Sequence, residues 1–153
     1  MLKIIKVLNK LIIFRYYRYR LKKEKRVIIS SGCTIEFPNS LFFDHSVYVG
    51  PNAFWSAGGG IEIEKNVIFG PNSVILTENH DYKSKDWAPY SPLKIKKKVH
   101  IKKDVWIGMN VMIMPGVTIG ENVVVAAGSV VTKSVDPHSV IAGNPARIVS
   151  KMD

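Results

Sequence analysis

IKKDVWIGMNVMIMPGVTIGENVVVAAGSVVTKS, residues 101–134, returns an aliphatic side chain every six positions: Ile101, Ile107, Ile113, Ile119, Val125 and Val131. Six residues are too few for a helix and a turn, and so short a unit cannot bury its own apolar side chain. The units must stack, each covering the next, which is the logic of a solenoid. The same frame fits segments beginning at Phe43, Val49, Ile63 and Phe69, with Gly58–Gly60 shifting the phase by two residues. Fifth positions across these ten units are Val47, Ala53, Val67, Ser73, Val105, Val111, Val117, Val123, Ser129 and Val135. All are compact enough to share a narrow interior with the larger first residue. Fourth positions are Ser46, Asn52, Asn66, Asn72, Asp104, Asn110, Gly116, Asn122, Gly128 and Ser134. Most are Asn, Asp or Gly, which tolerate left-handed dihedrals and close tight turns. Each unit is therefore expected to be a short strand followed by a corner, and the fold class all-β.

Composition narrows the rest. The 153 residues, 46% of them hydrophobic, suffice for one domain with a sizeable core. Cys33 is the only cysteine, which excludes an internal disulfide and a thiolate metal site. Near the start the longest apolar run is Leu11–Phe14, far short of the roughly 20 residues a membrane span requires. With no export signal read, the expected location is the cytoplasm.

The net charge of +10 is unevenly placed: residues 1–26 hold ten Lys or Arg against Glu24, and the remainder is nearly neutral. Within this segment Lys3, Lys6 and Lys10 share one side of a helical wheel and aliphatic residues fill much of the rest. The pattern predicts an amphipathic helix over residues 2–14. It suits a peripheral anchor on the inner membrane surface, or a cap across the open end of the solenoid. Nucleic-acid binding has no supporting motif and is not expected. A second interruption, residues 81–100, holds prolines and many charges without a six-residue pattern, as a projecting loop would.

Residues 43–149 resemble the hexapeptide acyltransferases, most specifically over Val105–Val149, which is similar to the acetyl-CoA-binding half of sugar and antibiotic acetyltransferases. The resemblance implies a left-handed parallel β-helix, a triangular prism with three units to a coil, assembled as a homotrimer with acetyl-CoA along its outside between subunits. The domain then spans 27–149 with a loop at 81–100, after a basic segment 1–26 and before a short tail, 150–153. By motif, cofactor contacts fall on Met109 after Trp-Ile-Gly, Ala127 and Gly128 in Ala-Ala-Gly-Ser, Thr132 and Lys133 in Val-Thr-Lys, and Arg147 in Gly-Asn-Pro-Ala-Arg. Lys133 and Arg147 suit phosphates because both stay charged. Singly, Gly143–Arg147 also reads as a plain turn and Lys133 as a solvated cation.

His80 ends Ile-Leu-Thr-Glu-Asn-His, where the repeat gives way to the loop, and matches the position of the family's catalytic histidine. Attack of a hydroxyl on a thioester requires a base that titrates near the working pH, as imidazole does. Asn79, Asp81, Tyr82, Trp87 and Trp106 are candidate substrate contacts. Trp106 fits a wall of the transfer tunnel and a packing contact with the next subunit equally well, and the loop aromatics fit sugar stacking and loop anchoring alike. His45, His100 and His138 carry no motif, and the histidine spacing fits no metal site, so none is expected. The expected activity is direct transfer of acetyl from acetyl-CoA to a sugar hydroxyl, a surface-polysaccharide precursor being one candidate acceptor. N-acetylation of an amino sugar or antibiotic, or a non-catalytic membrane-associated scaffold, stays open.

Overall fold

The computed structural model describes residues 25–83, 85 and 92–152. The helix expected at the N-terminus and Trp87 lie outside the described residues. The chain winds as a left-handed parallel β-helix. Face I stacks β1 (Ile28–Ile29), β4 (Tyr48–Val49), β7 (Ile68–Phe69), β12 (Trp106–Ile107), β15 (Val123–Val125) and β17 (Ser139–Gly143). Face II stacks β2 (Thr34–Glu36), β5 (Phe54–Ser56), β8 (Val74–Leu76), β13 (Met112–Ile113) and β16 (Val130–Val131). Face III stacks β3 (Leu41–Phe43), β6 (Ile61–Ile63), β11 (Val99–Ile101) and β14 (Thr118–Ile119).

The interior follows from the six-residue pattern. Every first- and fifth-position side chain named above is buried except Val135, which packs against the core while partly exposed. Removing such an aliphatic side chain from water contributes about 1.5–3 kcal/mol, repeated at each face of each coil. In the early coils the interior widens to hold Trp55 between Phe43 and Phe69, with ring centroids 6.2 and 4.7 Å away, and the indole Nε1 donates to Ser73 Oγ.

The corners behave as their residue types predict. Ser46, Asn52, Asn66, Asn72, Asp104, Asn110, Gly116, Asn122 and Gly128 all have positive φ. Ser134 does not; its hydroxyl instead accepts the Thr118 N–H. Stacked corner side chains bond to one another, Asn72 Nδ2 donating to Asn110 Oδ1 at 2.9 Å and Asn66 Nδ2 to Asp104 Oδ1 at 3.0 Å.

The frame also runs through Ile29, Ile35, Trp55 and Ile75, whose side chains turn inward. The corner between faces II and III hides it, because the first two coils carry two extra residues there. Tyr48 pairs with Ile68, twenty residues on, whereas Trp106 pairs with Val124, eighteen on. In the third coil this same corner extrudes the long insertion. Its arms, β9 (Glu78–His80) and β10 (Lys94–Lys96), form an antiparallel hairpin. Val99 and His100 are already back on face III, so the insertion leaves the solenoid after Thr77 and rejoins it at Val99 rather than spanning 81–100. At the C-terminus β18 (Ala146–Lys151) folds antiparallel onto β17, which draws Ser150 and Lys151 out of the expected tail into a strand. Among the described residues no helix is long and apolar enough to cross a membrane.

Candidate active site

His80 is exposed at the end of β9, opposite Lys94 in the hairpin register. Its strand can leave the solenoid only because the coil beneath lacks side chains: a Cβ on Gly59 would stand 2.3 Å from the Thr77 carbonyl oxygen. The hairpin root is tied down by polar contacts. Thr77 Oγ1 donates to the Ser56 carbonyl at 2.6 Å and accepts the Gly59 N–H, while the Lys97 N–H donates to the Thr77 carbonyl. Glu78, only 8% exposed, pairs with Lys94 across the two arms.

Around His80, the Tyr82 N–H donates to the His80 carbonyl, and Asp81 Oδ1 accepts the Lys83 N–H at 3.2 Å. Asp81 is therefore used in shaping the turn after the histidine. Among the described residues no side chain hydrogen-bonds the His80 ring. Asn79 is exposed on the opposite side of the strand, and the Tyr82 ring is exposed with Lys83 Nζ 6.0 Å from its centroid.

The other candidates fall on three separate edges or faces. Met109, Ala127 and Gly128 lie along the corner between faces I and II, where the Gly128 N–H donates to the Met109 carbonyl. The coils approach closely there because Gly108 has no side chain; its Cβ would meet Ala127 N at 2.6 Å. Thr132 and Lys133 lie on the corner between faces II and III, two coils beyond the hairpin that carries His80. Lys133, Arg147 and Asp136 border a cavity of about 250 Å³ walled by Val131, Ile141, Ala146 and Ile148. Two cations fourteen residues apart in sequence thus border one space, beside one carboxylate. Trp106 is 56% exposed in the middle of face I, the side of the prism opposite the His80 corner. Within one chain it does not join that site.

Sequence reasoning missed the ion pair of Glu78 with Lys94, because the register of a hairpin flanking a long loop is not visible in the residues. It also missed an apolar row on face I: Ile28, Tyr48, Ile68 and Trp106, between 41% and 56% exposed, lie in register with Val124 and Val140. The alternating positions carried that signal, but the inward residues masked it. Face III carries an ion-pair network instead. There Glu64 accepts from Lys102 Nζ and the Lys103 N–H and lies 3.0 Å from His100 Nε2, while Glu62 pairs with Lys98.

A stacked-coil solenoid of six-residue units, with a hairpin projecting from one corner, defines a hexapeptide-repeat scaffold. The bacterial transferase hexapeptide family (six repeats) matches residues 98–133. A hexapeptide-repeat acetyltransferase of Vibrio cholerae, solved with acetyl coenzyme A, is 32% identical at a TM-score of 0.77, covering 91% of this chain and 78% of that one. A maltose O-acetyltransferase of Clostridium difficile is 33% identical at a TM-score of 0.63, covering 83% and 71%. A Schizosaccharomyces pombe protein named as an acetyltransferase is 35% identical over 132 residues, 81% of this chain and 62% of its own length. The chain belongs to the hexapeptide-repeat acetyltransferase family. It spans between 53% and 62% of the length of the first curated relatives it matches.

Proposed function

We propose that the protein transfers acetyl from acetyl-CoA to a hydroxyl of a sugar, with His80 as general base. The observation that carries this reading is the placing of His80, exposed at the root of a hairpin on the same corner that holds Thr132 and Lys133 two coils on. The acetyl-CoA bound by the Vibrio relative supports the donor, and the maltose O-acetyltransferase supports a carbohydrate hydroxyl as acceptor.

The chemistry balances with one proton shuttle. A ring nitrogen of His80 takes the hydroxyl proton as the acceptor oxygen attacks the thioester carbonyl carbon. The tetrahedral oxyanion then collapses, the C–S bond breaks, and the imidazolium returns its proton to the departing thiolate. Lys133 and Arg147 would hold phosphates of the donor, and the backbone at Met109, Ala127 and Gly128 its pantetheine arm.

We infer further that the working form is a homotrimer. Met109 and the His80 corner flank face II, and five residues of extended chain at about 3.3 Å each separate its edges by roughly 16 Å. A donor held by both sets within one chain would have to cross that face; between two chains packed edge to edge it would not. The apolar row on face I supports association, since contiguous exposed apolar surface of this kind marks contacts. The basic segment 1–26 would then rest on an anionic membrane surface.

The test is acetyl-CoA-dependent release of free CoA across sugars, amino sugars and nucleotide-linked sugars, comparing wild type with His80→Ala. Turnover with a hydroxyl acceptor should fall about 10²- to 10⁴-fold in the variant, with acetyl-CoA still raising its melting temperature. A preference for amines would move the reaction to N-acetylation. Undiminished turnover in the variant would assign the base elsewhere, and absence of acetyl-CoA binding would leave the scaffold reading.

A further inference from the structure

The first coil holds an aromatic residue in a conformation that the coils above it do not share. The pairs Glu36 with Ser56 and Ser56 with Leu76 put Phe37 in register with Ala57 and Thr77, both turned inward and fully buried. Phe37 instead has φ 54° and ψ 52° and is 51% exposed. A left-handed backbone is disfavoured for any residue with a β-carbon. Pro38, next in the chain, further biases its predecessor towards extended dihedrals. A phenylalanine held out of the core against both biases marks a position where strain has a use, and such strain gathers at ligand clamps.

What the ring faces gives that use a chemistry. A Cβ on Gly58 would stand 3.3 Å from Phe37 Cδ2 and 2.3 Å from Glu78 Oε2, so the ring and the carboxylate meet over one glycine. Glu78 is nearly buried and paired with Lys94. Two residues on along the same strand face stands His80, with Lys94 opposite it in register. An apolar platform, a charged acceptor, a charged donor and the proposed base thus line one side of the hairpin root. A pyranose ring needs the same set: an apolar C–H face that packs on an aromatic, and hydroxyl edges that require hydrogen-bond partners.

We propose that Phe37 is the platform on which the acceptor sugar stacks, with Glu78 and Lys94 binding its hydroxyls. The identity of the ligand as acceptor rests on the acetyl-transfer reading above; the stacking itself does not. Saturation-transfer NMR on the full chain, with methyl pyranosides and maltose as probes and no acyl donor, separates the two. Wild type should bind one of these sugars, Phe37→Trp should retain it, and Phe37→Gly should weaken it at least about tenfold. Glycine suits the left-handed backbone, so that variant should melt no lower than wild type. Phe42→Ala, which removes an exposed ring from face III of the same coil, should leave binding unchanged. Sugar bound equally by Phe37→Gly overturns the proposal, as does a wild type that binds acetyl-CoA and no sugar. A change of oligomeric size in Phe37→Gly would place the ring against a second copy and overturn it too. Phe37-dependent sugar binding without acetyl transfer would sink the transfer reading and leave the platform standing.

Discussion

Gly59 lies beneath the root of the hairpin, and a methyl group there would collide with the backbone oxygen of Thr77. Backbone cannot move aside as a flexible side chain can, so Gly59→Ala should cost about 1–3 kcal/mol. At about 2–4 °C per kcal/mol for a chain of this size, the melting temperature should fall by roughly 2–12 °C in calorimetry. If His80 is the base, as proposed above, turnover should fall with it, because the displaced strand is the one carrying the histidine. Lys133 and Arg147 are separable from stability, both being exposed. Hydrogen bonds to charged groups are worth about 1.5–3 kcal/mol. Either residue changed to Ala should therefore raise the KM for acetyl-CoA about tenfold or more, with kcat nearly kept, in initial-rate kinetics.

The strands of face III act as an electrostatic element. Glu62 is held below the ordinary glutamate value of 4.5 by its hydrogen bond from Lys98, against some desolvation, with His100 and Lys102 adding to the effect. For Glu64 burial pulls upward, but hydrogen bonds from Lys102 and the Lys103 amide, with the charges of Lys102 and His100, outweigh it and the net shift is down. A carboxylate with a lowered folded pKa favours the folded state where it is ionised. That stability is fully present above the unfolded value near 4.5 and is lost as pH falls through the folded one. Glu64→Gln should melt below wild type at pH 7 and converge on it as pH falls through the lowered folded pKa, below 4.5, in thermal unfolding followed by circular dichroism. A constant gap between the two curves would show that packing, not charge, is what the substitution removed.

At the scale of the whole molecule the three faces differ in kind. Face I presents an apolar row, face III an ion-pair network, and face II lies between the two edges that hold the candidate site residues. Trp106→Glu puts a charge in the middle of the apolar row while leaving the inward Ile107 in place. On the trimer and transfer readings proposed above, it should reduce the particle to its 17.2 kDa chain mass in light scattering and abolish turnover. An unchanged mass together with full turnover would remove face I from the assembly.

The amino-acid sequence by itself determined the solenoid. Its six-residue spacing set which side chains turn inward from Ile101 to Val131, and its Asn, Asp and Gly residues marked corners that do adopt positive φ. These features were legible because they are local and periodic, each unit repeating one rule. Where the period is broken, the residues carry no such rule. The widened corner concealed the units at Ile35, Trp55 and Ile75, and the insertion boundaries moved to Thr77 and Val99 once strand pairing was known. Tertiary structure alone decided that Glu78 meets Lys94, that Lys133 and Arg147 border one cavity, that Trp106 stands away from His80 and that Phe37 turns outward over Gly58. Each of these depends on which coil lies above which and by how many residues it is offset, and that offset is set by three-dimensional stacking rather than by neighbours in the chain.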